Sequence, residues 1–174
     1  MQARDPIRPA DDAGPAALRA RTAELAAANI NPRTGLATDY LNHFNEAVML
    51  LDMIPDMPDC AQDFLDWRPL SYAEHFSASN FHARDLAIVA YHEADPAVRA
   101  AFDGITTAMT TILTAVAAAM REARHASSWI DLARLATVSV KPMVAMAGGI
   151  INGVAVAADD SETQNADIDV IMSH

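Results

Sequence analysis

The chain is poor in several residue types on which common functional classes depend. It contains one cysteine, Cys60, and one lysine, Lys141. A single thiol excludes an internal disulfide and permits a reducing compartment, and no catalytic signature surrounds Cys60. Aromatic residues make up only 6% of the sequence. That scarcity argues against a large stacking surface for bases or sugars.

Positive charge is also scarce. Asp and Glu number 23 against 12 Lys and Arg, which gives a net charge of −11 at pH 7. Nucleic acids and anionic membranes attract clustered Lys and Arg, whereas the arginines of this chain are scattered. We therefore expect no nucleic-acid partner and no membrane partner.

Long hydrophobic runs are missing as well. The longest uncharged apolar stretch, 142–158, contains Asn152 and three glycines, and at about 17 residues it is short for a bilayer span. Residues 1–14 contain three aspartates and no apolar run of the kind found in a signal peptide. These patterns predict a cytoplasmic protein with a loose N-terminal tail over 1–14.

Helix-forming sequence with clear start signals dominates the rest. Alanine and methionine supply much of the apolar content, which is typical of closely packed helices. Ser71 with Glu74, and Ser161 with Gln164, match capping boxes, and Asp95-Pro96 combines a cap with a first-turn proline. Helices are predicted over about 15–28, 36–54, 59–67, 72–94 and 96–126, then from 128 with an interruption at Pro142, and from 161 to 172.

The predicted helix over 96–126 also carries a bundle seam. Its apolar residues recur at spacings of four and three, as in helical bundles. They are Val98, Phe102, Ile105, Met109, Ile112, Val116 and Met120. The sequence therefore predicts an all-α fold, a single-domain bundle of about six to eight helices over residues 15–174. The one β alternative is a short pairing between 136–140 and 153–157.

The most distinctive polar residue is His43, which falls inside the apolar arc of its predicted helix. At roughly 100° per residue it lies between Leu50 and Ile54, and Asp39 and Glu46 flank it. Because buried polar groups need partners, we expect His43 to be buried and hydrogen-bonded to a carboxylate or a backbone group. Met49 and Met53 make the other side of this helix apolar too, which favours a homodimer.

The predicted helix over 72–94 places His75 and His82 on its apolar side. His43 with Glu46, and His82 with Asp85, are then two histidine–acid pairs at i, i+3 spacing. Facing helices of bundle metalloproteins build metal sites from such pairs, although there the acid precedes the histidine. His75 and His82 are about 10.5 Å apart along the axis, so one of them is expected to join His43. The candidate metal ligands are His43, Glu46, His82, His75, Asp39 and Asp85, a nitrogen and oxygen set that suits zinc, iron or manganese.

Other interpretations compete with a metal site. His43 can be a purely structural core histidine, with His75 and His82 at helix contacts. The acidic run over 52–66 lacks the glycine and terminal glutamate of a calcium-binding EF-hand loop. The threonines of the long helix form a polar side that could line a pocket, although surface placement is the default expectation; they are Thr106, Thr107, Thr110, Thr111 and Thr114.

Parts of the chain resemble a small group of uncharacterised bacterial proteins. The resemblance rests on TGLATDYLNHFNE over 34–46, SYAEHF over 71–76 and DLAI over 85–88, and covers about 34–94. It implies a single-domain, all-helical bacterial protein and transfers no site residue. Two functional classes follow from the sequence. The first is a binding or interaction module with a polar histidine–carboxylate contact in its core and an unspecified small-molecule ligand. The alternative is a metal-binding bundle, catalytic if a coordination position stays open.

Overall fold

The computed structural model describes residues 13–154, and this part of the chain confirms the all-α single-domain bundle. Its seven α-helices are α1 (Ala13–Ala27), α2 (Leu41–Met53), α3 (Ala61–Asp66), α4 (Tyr72–Ala78), α5 (Arg84–Glu93), α6 (Pro96–Glu122) and α7 (Ala126–Ile151). Short 3-10 turns over Thr38–Tyr40 and Pro58–Cys60 lead into α2 and α3. The described residues contain no strand, only an isolated bridge between Ile30 and Ala37.

Two long helices, α6 and α7, form the centre of the bundle. Asp95 caps α6, since its Oδ1 accepts from the backbone N–H groups of Ala97 and Val98 at 2.8 and 3.2 Å. The connection 123–125 reverses the chain, and α7 then packs against α6 and α2. The seam of α6 is close to the predicted one, except that Thr106 and Leu113 are buried where Ile105 and Ile112 are half-buried.

The prediction of one continuous helix over 72–94 is wrong, because the chain breaks it into α4 and α5. Ser79 ends α4: its hydroxyl donates to the Phe76 carbonyl at 3.1 Å and accepts from the Phe81 N–H at 3.2 Å. Such local bonds compete with helical pairing. His82 therefore lies in the connection between the two helices and is exposed.

The prediction that Pro142 interrupts the last helix is also wrong. Helix α7 continues through Pro142 to Ile151. Pro142 and Val138 are both exposed, so water can reach the Val138 carbonyl, which lacks an N–H partner from the proline. Residues 136–140 are helical within α7, which removes the β alternative there. The capping box at Ser161, its helix, and tail residues 1–12 lie outside the described residues.

Both central helices are long and apolar enough, by length and composition alone, to cross a membrane. Within their most apolar windows, 33% of the α6 residues and 28% of the α7 residues are buried in the fold. Core helices of soluble proteins meet the same criterion.

Candidate functional site

His43 lies on the buried face of α2 and is 7% exposed, as its place in the apolar arc predicts. Its Nε2 accepts a hydrogen bond from the Leu70 backbone N–H at 3.1 Å. The Trp67 indole stacks on the imidazole with ring centroids 4.7 Å apart, and its Nε1 donates to the His43 carbonyl at 3.2 Å. The predicted partner of His43 is thus a backbone group, and the segment 67–70 is anchored to α2 through it.

The imidazole of His43 is neutral in this setting. A ring nitrogen that accepts from a backbone amide carries no proton. Burial, together with the smaller effect of the neighbouring His75, lowers the pKa of His43 from its ordinary value to about 4, and a backbone hydrogen bond to Arg68 acts in the opposite direction. His43 therefore stabilises the fold as an uncharged acceptor at neutral pH.

A second polar contact lies beside His43. Asp39 Oδ2 and His75 Nε2 are 3.1 Å apart, and the Asn42 side chain donates to Asp39 Oδ1 at 3.1 Å. The ring centroids of His43 and His75 are 6.0 Å apart. We refer to Asp39, His43, Trp67 and His75 as the histidine cluster.

The structure brings together only half of the predicted metal ligands. Asp39, His43 and His75 are neighbours in the histidine cluster. By contrast Glu46, His82 and Asp85 are exposed, and the turn after Ser79 removes His82 from the helix face on which its pairing with Asp85 depended. Within residues 13–154, no three side chains of His, Cys, Asp or Glu form a group able to hold a metal ion.

A cleft of about 440 Å³ adjoins the histidine cluster, with Tyr40 and Leu70 in its lining. All three tyrosines of the chain line it: Tyr40 from the 3-10 turn, Tyr72 from α4 and Tyr91 from α5. The Tyr72 and Tyr91 rings stack with centroids 4.6 Å apart, and Tyr40 meets Tyr72 edge-on at 5.2 Å. We call this space the tyrosine cleft.

One face of α6 forms a polar wall of the tyrosine cleft. It presents Asp103, Thr106, Thr107, Thr110 and Thr111, whose spacings place them on one side of a helix. Two of the hydroxyls bond within α6: Thr106 donates to the Asp103 carbonyl at 3.2 Å and Thr111 to the Thr107 carbonyl at 2.9 Å. The Thr107 and Thr110 hydroxyls have no hydrogen-bond partner among residues 13–154. They are therefore free to bond a molecule in the cleft.

Asp103 is the only charged side chain among the residues described as lining the cleft. The Tyr91 hydroxyl donates to its Oδ1 and Oδ2 at 2.8 and 2.9 Å. Burial and this hydrogen bond raise the pKa of Tyr91 to about 12, so the phenol keeps its proton at neutral pH. Arg99 lies over the Tyr91 ring at 5.9 Å, and its guanidinium donates to the His92 carbonyl at 2.9 Å.

Leu70 connects the cluster to the cleft. The Tyr40 hydroxyl donates to the Leu70 carbonyl at 2.7 Å, while His43 accepts from the Leu70 N–H. Both backbone polar groups of Leu70 are therefore fixed, and Pro69, Leu70 and Ser71 form one wall of the cleft. The histidine cluster thus positions a wall of the tyrosine cleft.

Only part of this cleft could be predicted from the sequence. The threonine face of α6 was evident as a feature that could line a pocket, and Asp103 begins that same face. Tyr91 carried no local signal, because its pairing with Asp103 depends on how α5 packs against α6. Comparisons with family models, with curated proteins and with solved structures found no match to this chain. The resemblance over 34–94 stays a prediction.

Proposed function

We propose that this protein is a small-molecule-binding module and that the tyrosine cleft is its binding site. One observation carries the proposal: three aromatic side chains from separate elements converge on a space that Thr107 and Thr110 also line, and the hydroxyls of these two threonines have no hydrogen-bond partner within residues 13–154. The cleft volume of about 440 Å³ lies within the range usual for ligand sites. Such sites combine aromatic walls with a few placed polar groups.

The groups in the cleft favour binding over catalysis. His43, the most distinctive polar residue of the sequence, is not among the residues described as lining the cleft, and its Nε2 is occupied by the Leu70 N–H. Asp103 is engaged by Tyr91, which retains its own proton at neutral pH. The cleft therefore offers hydrogen-bond donors, acceptors and ring faces rather than an activated base or nucleophile.

The metal-binding alternative has less support. Of its predicted ligands, Asp39 and His75 bond each other, and His43 would have to release the Leu70 N–H before it could bind an ion through Nε2. Glu46 is exposed on α2. A metal site at the histidine cluster would thus cost hydrogen bonds that hold the cleft wall.

An NMR screen of the full chain against a library of small polar molecules tests the binding proposal. We expect ligand-induced shifts to concentrate at the lining of the tyrosine cleft. Thr110→Val removes one free hydroxyl at nearly constant volume and should weaken binding, whereas Thr114→Val, exposed on the same helix outside the lining, should not. Ligands that map elsewhere, or affinities that Thr110→Val leaves unchanged, would contradict the proposal.

We further propose that a second copy of the chain covers the outer face of α7. Leu135, Val138 and Met146 are 63%, 73% and 57% exposed, and with Pro142 they form an apolar stripe at spacings of three and four. Two copies of one such stripe can pack about a two-fold axis. Covering α7 in this way fits the cytoplasmic location that we propose, because it removes apolar surface from water.

Light scattering after size-exclusion chromatography tests the homodimer. The wild-type chain should have twice the monomer mass, and Val138→Glu should be monomeric because it places a charge in the stripe. Ala118→Glu, at an exposed position on α6, is the matched control and should stay dimeric. A monomeric wild type at micromolar concentration would rule this interface out.

A further inference from the structure

We infer that the tyrosine cleft selects small organic amines in their protonated form, with Asp103 as the counter-charge. This inference rests on the proposed function and specifies the ligand class of the same site. Its basis is the charge pattern of the lining, which contains a carboxylate and no Lys, Arg or His among the residues described there.

The carboxylate of Asp103 has capacity left for a ligand. An ionised carboxylate offers about four lone-pair sites, and Tyr91 occupies one direction between the two oxygens. An ammonium group brings three donors and no acceptor. It can bond Asp103 while the Thr107 hydroxyl, which has no partner in the described part of the chain and lies one helical turn along the same face of α6, accepts a second donor.

One aromatic ring of the cleft already has a cation beside it. Arg99 lies 5.9 Å from the centre of the Tyr91 ring, as the attraction of cations to a tyrosine face leads one to expect, and Tyr91 also stacks on Tyr72. A positive ligand therefore depends on Asp103 rather than on the Tyr91 ring. Burial is the main cause that raises the pKa of the Tyr40 phenol, and the negative charges of Asp103 and Glu74 raise it further. The surroundings of Tyr40 thus resist additional negative charge. The net charge of −11 steers cations toward the molecule as a whole.

A carboxylate ligand of the same size meets the opposite conditions. It would face Asp103 as a like charge in a partly desolvated site, where such a pair is strongly disfavoured. A neutral alcohol would keep the contacts with the hydroxyls and rings but would lose the ionic contact. Charge is therefore the property that separates the three ligand classes.

Three probes of nearly equal shape test this inference: butylammonium chloride, 1-butanol and sodium butyrate. Each is titrated at pH 7 into the full isotope-labelled chain, and the shifts of residues in the tyrosine cleft are fitted to a dissociation constant. We expect butylammonium to bind about tenfold more tightly than either isostere, and added salt to reduce this preference.

Two variants test whether Asp103 causes the preference for butylammonium. Asp103→Asn keeps an acceptor for the Tyr91 hydroxyl and removes the charge, so the preference for butylammonium should disappear. Asp131→Asn, at an exposed acid of α7, changes the net charge equally and should leave the preference intact. If Asp103→Asn fails to fold, the wild-type ranking of the three probes still decides the sign of the preferred ligand.

The outcomes separate the two proposals. Butanol or butyrate binding in the cleft as tightly as butylammonium would overturn the amine inference and leave the binding proposal standing. If none of the three probes binds but library molecules still bind the cleft, the amine inference is likewise overturned and the binding proposal stands. If neither the probes nor the library shifts the cleft residues, both proposals fail.

Discussion

The histidine cluster and the tyrosine cleft are neighbouring polar sites that differ in how fully the protein satisfies them. In the cluster, Nε2 of His43 is bonded to the Leu70 N–H, and His75 pairs with Asp39. In the cleft, the Thr107 and Thr110 hydroxyls have no partner within the described part of the chain. Polar groups that the fold satisfies contribute stability, whereas groups left open toward a cavity are available to a ligand. The histidines that stand out in the sequence therefore support the proposed site, and less conspicuous residues line it.

The largest expected effect is the loss of stability at the histidine cluster when the pH is lowered. The pKa of His43 is lowered from 6.5 to about 4 in the folded protein, so below pH 6.5 the unfolded chain binds a proton that the folded chain does not. The stabilising contribution of neutral His43 is fully present above pH 6.5 and is lost as the pH falls toward 4. It amounts to about 3 kcal/mol of unfolding free energy.

Urea unfolding of wild type and His43→Gln between pH 7 and pH 4 measures this contribution. The glutamine carbonyl can accept from the Leu70 N–H but does not titrate in this range. The stability advantage of wild type over His43→Gln should therefore shrink on acidification, while other titrating groups affect both proteins. An advantage that stays constant with pH would show that folding does not lower the pKa of His43.

Removing the side chain at His43 should have the next largest effect. His43→Ala leaves the Leu70 N–H without its acceptor and opens a cavity beneath Trp67, at a cost of about 1–3 kcal/mol in unfolding free energy. His82→Ala, at an exposed histidine, should change stability by less than about 0.5 kcal/mol. Equal stabilities for the two variants would show that His43 contributes no more to folding than an exposed histidine does.

The matching deletion in the cleft should cost less. Tyr91→Phe removes the hydrogen bond to Asp103, but the carboxylate lies beside open space and regains water, so we expect less than about 1 kcal/mol in unfolding free energy. The same variant should still alter amine binding, because Asp103 loses the group that orients it. A loss of unfolding free energy equal to that of His43→Ala would mean that water cannot replace the lost hydrogen bond in the cleft any better than in the histidine cluster.

Glu46→Ala should have the smallest effect and tests the metal alternative. As an exposed acid, Glu46 should contribute less than about 0.5 kcal/mol to stability. A metal site that used Glu46 would instead lose stoichiometric zinc, iron or manganese together with stability, because binding and folding are coupled. Elemental analysis and thermal unfolding of wild type and Glu46→Ala, purified without an affinity tag, distinguish the two outcomes.

Most helices could be predicted because local chemistry marks their ends. The capping box of Ser71 with Glu74 and the Asp95 cap both form as expected. The break after α4 was not predicted, because Ser79 looks like any polar residue on a helix until its hydroxyl bonds Phe76 and Phe81. The continuity of α7 was missed because the cost of Pro142 depends on whether water reaches the freed carbonyl, and this is a matter of tertiary packing.

The site was less predictable than the fold for the same reason. The burial of His43 follows from a local apolar arc, but its partner Leu70 is 27 residues away and offers a backbone group, which no pattern of side chains indicates. The threonine face of α6 could be predicted, because the spacing of its residues within one helix is enough to define it. The convergence of three tyrosines on that face depends on the packing of α4, α5 and the 3-10 turn against α6.

The short connection 123–125 also affects the order in which the helices and the cleft form during folding. Helices α6 and α7 are neighbours in sequence, so their association closes a small loop, whereas the cleft unites segments as distant as Tyr40 and Thr111. Closing longer loops costs more entropy and slows folding. During refolding, the α6–α7 hairpin should therefore form early and restore much of the helical signal before the cleft exists. Ligand-binding capacity should return only in the last kinetic phase, so helix content is a poor measure of how much active protein a preparation contains.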